Sequence, residues 1–217
     1  MKRVFRTLLL SILSGILITI GCVVNLLLLK EARFLGTFLF SAGLFFICEL
    51  QFKLFTGAVG YALDNDLKSN FELPLILLGN GIGVAITSLL VSLTRIYEQV
   101  NLEAINIINT KLNDTWYSIL VLSILCGILI FLGVETYKKS NNNFAKILAL
   151  VFCVMVFIII SAEHCIANIG YFILAKSFTL KGFLYFLLMV LGNSIGGLLI
   201  PSFTKLIKLL NEKKDEA

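Results

Sequence analysis

The chain has 217 residues, of which 59% are hydrophobic and 14% are charged, and its formal net charge is +5. A soluble domain carries about 25% charged residues, so this composition excludes an ordinary soluble protein and favours an integral membrane protein. The basic residues do not form an arm that alternates with aromatic residues, so we expect no nucleic-acid partner.

Four long segments without Asp, Glu, Lys or Arg predict membrane-spanning helices. They are 20 to 23 residues long and cover residues 7–29, 73–94, 115–134 and 182–204. A hydrocarbon core of about 30 Å needs about 20 apolar residues, and uninterrupted runs of this length favour helices over a barrel. The first run exceeds the roughly 7–15 residues of a signal-peptide core, so we interpret it as a retained first span.

Two further apolar regions are interrupted by polar residues. The second region breaks between Glu49 and Lys53, and the fifth breaks at Glu163-His164. Interrupted spans at matching places in two halves predict an inverted repeat with a site near the bilayer midplane. We therefore expect an all-α fold of six spans, with one repeat in residues 1–110, a second in 111–210 and a mobile tail in 211–217.

Two spacings support this repeat. Glu49 lies 114 residues before Glu163, and the Gly-Asn pair at Asn80 lies 113 residues before the pair at Asn193. Glycines at such positions let helices approach closely, and packing alone also explains these pairs. The breaks must be enclosed by protein or line a watery cavity, where half-helix N-termini would favour an anion.

His164 is the only histidine, and it lies inside an apolar region. Ionisable groups at membrane depth are costly and often mark a pathway. The alternative is a histidine that bonds a neighbouring helix. Glu163 is expected to bond backbone groups or a neighbouring subunit. Lys53 is expected either to pair with Glu49 at i,i+4 spacing or to face a vestibule.

The distribution of basic residues predicts the orientation. With six spans, eleven Lys and Arg fall on the side of the two termini and six on the other. The positive-inside rule then places both termini in the cytoplasm. We expect a multi-pass protein of the plasma membrane. The five cysteines lie in apolar segments without a CxxC pair, so neither a metal site nor a cofactor is expected.

Several motifs in one order resemble those of the formate/nitrite transporter family, of which the chain resembles a divergent member. The resemblance covers nearly the whole chain. The fifth segment has the Glu-His motif followed by Ile-Ala-Asn, and the second has a Leu-Phe-Thr loop. The residues of these motifs are Glu163, His164 and Asn168, and Leu54, Phe55 and Thr56, followed by Gly57.

The resemblance implies an aquaporin-like fold, a homopentamer and a pore through each protomer. It implies transport of small monovalent anions, namely formate, nitrite or hydrosulfide, together with protons, and no enzymatic activity. Phe40 and Leu44 match positions that narrow the pore on the cytoplasmic side, and Phe157 matches the periplasmic narrowing. Lys111 matches a lysine near the pore, although a solvated loop lysine is the alternative.

The expected mechanism is proton transfer at a central histidine. Lys111 would attract the anion, which would gain a proton near His164 and cross the constriction as a neutral molecule. Burial disfavours a charged imidazole, so His164 either relays a proton or only donates a hydrogen bond. Thr56 would supply a hydroxyl opposite His164.

One departure from the family bears on the alternatives. Gly127 follows Cys126 where many members have asparagine, which removes an expected pore-facing amide. A nonconducting homologue is therefore one alternative. A neutral-solute pore of the aquaporin type is another, although the sequence has no Asn-Pro-Ala motif. Protease motifs such as Gly-x-Ser-Gly and His-Glu-x-x-His do not occur either.

Overall fold

A computed structural model describes residues 1–215, which form ten α-helices and one short 3-10 helix and include no strand. The helices are α1 (Lys2–Leu28), α2 (Arg33–Glu49), α3 (Phe55–Ala58), α4 (Leu67–Asn70), α5 (Leu73–Ser92), α6 (Tyr97–Leu112), α7 (Trp116–Lys139), α8 (Asn143–Ile159), α9 (Cys165–Leu174) and α10 (Leu180–Asp215). The 3-10 helix, Val59–Tyr61, follows α3 directly. The chain is therefore all-helical, as predicted.

The four charge-free segments lie in α1, α5, α7 and α10, and each of these helices is long and apolar enough to cross a membrane. The second and fifth regions each form two helices, with 17 residues in α2 and in α8 before the interruptions. Helix α10 continues through Asp215 into the predicted tail, of which residues 216–217 lie outside the described residues.

Glycines bring the long helices into close contact. Helix α1 packs on α5, and α7 packs on α10. A Cβ atom at Gly83 would overlap the backbone carbonyl of Ile12, and one at Gly196 would overlap that of Ile124. Because small residues allow this approach, the two pairs of helices cross backbone to backbone at equivalent glycines.

The two interruptions have the same backbone conformation. Gln51 and Ser161 adopt left-handed φ values of 54° and 57°. Each is followed by an amide that bonds five residues back: Phe52 N–H donates to Ile47 at 2.9 Å, and Ala162 N–H donates to Phe157 at 2.8 Å. The helices α2 and α8 therefore end in the same way.

The equivalence of the breaks extends to the next residue. The amide of Lys53 donates to the Leu10 carbonyl of α1 at 3.3 Å, and that of Glu163 donates to the Leu122 carbonyl of α7 at 3.2 Å. Lys53, rather than Glu49, thus corresponds to Glu163. The predicted pairing of the two glutamates is wrong by four residues because Glu49 still belongs to helix α2.

Candidate functional site

The side chains of Asn80 and Asn193 form hydrogen bonds with the backbone at the two breaks. The Oδ1 atom of Asn80 accepts from Phe55 N–H at 2.8 Å, at the start of α3. Its Nδ2 donates to the carbonyls of Ser11 and Lys53, both at 2.8 Å. One buried side chain therefore satisfies three backbone groups that membrane lipid could not.

Asn193 makes the matching three hydrogen bonds at the second break. Its Oδ1 accepts from Cys165 N–H at 2.9 Å, and its Nδ2 donates to Ser123 O at 2.8 Å and Glu163 O at 2.7 Å. The two asparagines thus support the loops that present Thr56 and His164, whereas the glycines before them serve packing.

His164 is the N-terminal capping residue of α9. Its Nδ1 accepts from Ala167 N–H at 3.1 Å, so this nitrogen carries no proton and the ring proton belongs on Nε2. Nε2 lies 2.9 Å from Thr56 Oγ1. The side chains of both residues are buried. The geometry therefore makes His164 a donor to Thr56, which keeps its own hydroxyl proton for another acceptor.

Two phenylalanines lie beside this pair. The Phe157 ring stacks on His164 with centroids 5.8 Å apart, and the Phe40 ring meets Phe157 edge-on at 5.9 Å. The two rings meet because they project from the adjacent helices α2 and α8. The predicted role of Phe40 in a constriction with Leu44 stays a prediction.

A cavity of about 270 Å³ lies on the side of the pair away from the N-terminus, and we call it the outer cavity. Phe157 and His164 form part of its wall, as do Lys111, Glu163 and Asn168. Lys111 Nζ lies 2.5 Å from Glu163 Oε2. Asn168 Nδ2 donates to the same oxygen at 2.8 Å. Lys111 is thus at the site rather than in a solvated loop.

The partners of Glu163 differ from those expected. Its side chain is almost completely buried and bonds the side chains of Lys111 and Asn168, not backbone groups. The reason is the length of α6, whose last turn carries Lys111 to the break. The ion pair neutralises both charges in a place where an unpaired charge would be costly.

A larger cavity of about 600 Å³ lies on the side of the N-terminus, and we call it the inner cavity. Leu44, Leu54 and Gly57 line it, while Phe55 is buried and is not among its lining residues. Its charged lining residues are Arg3, Lys53, Glu72 and Lys138. Three cations and one carboxylate give this cavity an excess of positive charge.

Lys53 does not pair with Glu49. Its Nζ donates to Glu72 Oε2 at 2.6 Å and to Thr7 Oγ1 at 3.0 Å, while Glu49 accepts from Tyr137. The i,i+4 spacing does not apply, since the helix ends between the two residues. The other expectation, that Lys53 faces a vestibule, agrees with its place in the inner cavity.

Gly127 does not face the pathway. A Cβ atom there would lie 2.8 Å from Gly197 N and would overlap the Asn193 carbonyl. The residue therefore belongs to the contact between α7 and α10. A side chain at this position would meet the backbone of α10, so the glycine allows the close crossing of the two helices.

Among the residues of the two cavities that sequence reasoning missed are Glu72, Asn25 and Tyr171. Glu72 also bonds Arg3 of α1, a partner 69 residues away that no local spacing indicates. Asn25 and Tyr171 lie in apolar runs. Asn25 is the one amide side chain of the first charge-free segment, and an amide at membrane depth is the signal that could have identified it.

Together these side chains form a narrow centre between two cavities. The centre offers two polar groups, the Thr56 hydroxyl and the His164 imidazole, beside two aromatic rings. Such an arrangement can bind a small polar molecule while excluding bulk water. It suits passage of a neutral species better than passage of a bare ion, whose desolvation is expensive.

Comparison with protein families and solved structures agrees with this geometry. The family model described as "Formate/nitrite transporter" matches residues 1–207. A pentameric formate channel with formate bound is 22% identical, with a TM-score of 0.80 over 96% of this chain and 98% of that chain. An ion channel of the FNT family is 23% identical, with a TM-score of 0.77 over 94% and 90%. No curated protein sequence matches the chain.

Proposed function

This chain belongs to the formate/nitrite transporter family, and we propose that it is a channel for small monovalent anions of weak acids, namely formate, nitrite or hydrosulfide. The family is one of channels and transporters rather than enzymes. The structural neighbour that holds formate is similar over almost its whole length. That likeness supports the substrate class.

The proposed pathway joins the inner cavity to the outer cavity through the Thr56–His164 pair. The excess positive charge of the inner cavity attracts the anion. A bare anion would lose its hydration between Phe40, Phe157 and Leu44, at a cost of several kcal/mol. Uptake of one proton at the level of His164 removes that cost, and the neutral acid crosses.

His164 acts in this proposal as a fixed hydrogen-bond donor. Its Nδ1 is occupied by Ala167 N–H, so loss of the Nε2 proton would leave an anionic ring. The proton therefore comes from the aqueous solution as hydronium, which leaves neutral water behind, while the Thr56 hydroxyl, whose oxygen accepts from Nε2–H, donates to the substrate oxygen or sulfur. Of the two roles open from the sequence, this supports the donor rather than the relay.

We also propose six spans in two inverted repeats, with α2–α3 and α8–α9 as the broken second and fifth spans. The matching hydrogen bonds of Asn80 and Asn193 support this assignment. Membership of the family supports an aquaporin-like arrangement, a homopentamer and a plasma-membrane location. The positive-inside rule supports cytoplasmic termini. A pentameric neighbour supports the oligomer.

The observation that carries the proposal is the buried contact of 2.9 Å between Thr56 and His164. The test is the flux of formate, nitrite and hydrosulfide into proteoliposomes at two pH values, against protein-free liposomes. Faster anion uptake with protein, increasing at the lower pH, supports the proposal. Flux of a neutral solute such as urea without anion flux would favour the aquaporin-like alternative.

A nonconducting homologue is the remaining alternative. Its basis in the sequence was the absence of a pore-facing asparagine at position 127. Gly127 lies in the contact between α7 and α10 instead, so the glycine gives no reason to expect lost transport.

A further inference from the structure

Two of the three cations that line the inner cavity are bound by the same carboxylate. Arg3 Nε bonds one oxygen of Glu72, and Lys53 Nζ donates to the other oxygen at 2.6 Å. Arg3 also donates to the Ser69 hydroxyl, and Lys53 also donates to the Thr7 hydroxyl. The protein itself therefore satisfies much of the charge and hydrogen-bonding capacity of these two side chains.

Lys138, in the last turn of α7, is the third cation of the inner cavity. Among the described residues, its Nζ atom forms no hydrogen bond and no salt bridge, and it lies 3.7 Å from the centroid of the Tyr61 ring. The neighbouring carboxylate, Glu135, accepts from Tyr61, bonds Lys139 and does not line the cavity. A cation–π contact occupies no acceptor atom, so the N–H groups of Lys138 remain available to an anion.

The inner cavity has room for an anion that keeps its water. Its volume of about 600 Å³ is many times the roughly 30 Å³ that one water occupies in the liquid. An anion held there by Lys138 avoids the cost of desolvation that it meets further in. The cavity can therefore bind the charged form of a weak acid before it is neutralised.

The outer cavity has no comparable excess of charge. Its charged lining residues are Arg33, Lys111, Asp114 and Glu163, whose charges sum to zero. Lys111 is paired with Glu163, and Arg33 donates to the carbonyl of Ile159. In the inner cavity, cations exceed carboxylates by two. The two sides of the channel therefore differ in their attraction for an anion.

We propose that Lys138 forms a binding subsite for a hydrated monovalent anion in the inner cavity, and that the channel consequently saturates at a lower anion concentration from the inner side than from the outer side. This inference rests on the proposed function and names the residue at which the anion first binds. Lys53 adds to the positive potential of the cavity, whereas Lys138 contacts the anion directly.

The difference between the two sides must appear in saturation rather than in net transport. With equal pH on both sides and no membrane potential, a passive channel produces no net flux between equal concentrations. The ratio of the maximal rate to the half-saturating concentration is then the same in both directions. Tighter binding on the inner side therefore gives a lower half-saturating concentration and a proportionally lower maximal rate from that side.

The transport test measures initial rates of formate uptake into right-side-out and inside-out membrane vesicles. The vesicles come from cells that express the full chain and lack other formate channels, with equal pH on both sides and the membrane potential collapsed by an ionophore. Labelling of a Lys2→Cys variant with an impermeant maleimide identifies the vesicles whose outer face carries the N-terminus. In those vesicles, wild-type uptake should saturate at the lower formate concentration.

Replacement of Lys138 assigns the difference to this residue. Lys138→Gln should raise the half-saturating formate concentration from the inner side roughly three- to tenfold, because one charged contact is lost. Lys138→Arg should retain the wild-type value. The matched control is Lys146→Gln, because Lys146 also lies against a tyrosine ring, that of Tyr137, but does not line the inner cavity.

Two transport results would overturn the inference. One is equal half-saturation from the two sides of the wild-type channel, and the other is a Lys138→Gln variant that saturates like Lys146→Gln. Absence of formate uptake by the wild type in both kinds of vesicle would contradict the proposed function instead, and the subsite is then decided by structure.

That second test is a crystal structure of the wild-type protein with bromide, a monovalent anion that anomalous scattering locates. The proposal predicts bromide beside Lys138 Nζ, lost in Lys138→Gln and displaced by added formate. Bromide that formate does not displace would be an adventitious ion only. That result, or an inner cavity without bromide at Lys138, would overturn the subsite.

Discussion

Lys53 and Glu163 occupy the same position in the two breaks, where their amides donate to equivalent carbonyls of α1 and α7. Their charges are opposite, and each is paired with a residue of the opposite sign. Lys53 bonds Glu72 at 2.6 Å, and Glu163 bonds Lys111 at 2.5 Å. The repeat in the backbone therefore coexists with an asymmetric distribution of charge.

Replacement of Lys53 tests the role of that charge. We expect Lys53→Gln to reduce anion entry from the inner side a few-fold at low salt, because the inner cavity loses one cation. The difference should shrink at high salt, since ions screen such attraction. Arg3 still pairs with Glu72, so the fold should be retained.

The measurement is formate entry into inside-out vesicles at low and high salt. Lys68→Gln provides the control, because Lys68 is exposed on α4 and does not line the inner cavity. If formate enters vesicles with each of the two variants as fast as it enters vesicles with the wild type at low salt, Lys53 has no part in attracting the anion.

The asparagines at the breaks should be essential for stability. Asn193→Ala leaves one amide and two carbonyls without their partner, and each unpaired buried group costs about 1–3 kcal/mol. We expect the free energy of unfolding to fall by several kcal/mol in Asn193→Ala and in Asn80→Ala. Thermal unfolding in detergent measures it, with Asn109→Ala on the exposed face of α6 as the control. A wild-type melting temperature in either variant would disprove this role.

Gly127 should be a packing residue rather than a selectivity residue. Gly127→Asn should lower stability and folded yield, because any side chain there meets the backbone of α10. Gly81→Ala is the matched control, since its Cβ would lie 3.8 Å from Ile169. Size-exclusion profiles and flux ratios for formate and nitrite distinguish the roles. A stable Gly127→Asn variant with altered flux ratios would contradict the packing interpretation.

The contributions of Lys111 and Glu163 to the free energy of unfolding should be strongly coupled. Breaking a buried pair leaves one uncompensated charge, at a cost of about 3–5 kcal/mol. Glu163→Gln and Lys111→Met should each destabilise the protein by about that amount, whereas the double variant should recover much of the loss. Unfolding free energies of the three variants give the coupling. Additive losses would show that the two side chains act independently.

The positions of the long helices follow from the sequence because charge is excluded from lipid. The register of the repeat does not follow from the sequence, because the charge at Glu49 does not mark where α2 ends. Its end depends on a left-handed residue, Gln51, which composition does not reveal. The interpretation of Gly127 came from family resemblance, and only the crossing of α7 and α10 shows the backbone it contacts.

Contacts between distant residues explain most of what was missed. Arg3 and Glu72 lie 69 residues apart, and Phe40 meets Phe157 only because α2 packs on α8. Glu163 could be identified from the sequence because a charged residue at membrane depth is energetically costly. Its partner Lys111 could not, because that contact depends on where α6 ends. Residue chemistry thus indicated the central pair, whereas the cavities around it depend on tertiary packing.

The central claim is that His164 allows a small acid to cross in its neutral form. Its most direct test is formate flux into proteoliposomes between about pH 5 and 8, because the supply of protons that neutralise formate increases as the pH falls. Wild-type flux should rise as the pH falls. His164→Phe, which keeps a ring but loses the Nε2–H donor, should abolish the flux or its pH dependence while the protein remains folded. A folded His164→Phe variant with wild-type flux at every pH would contradict the account.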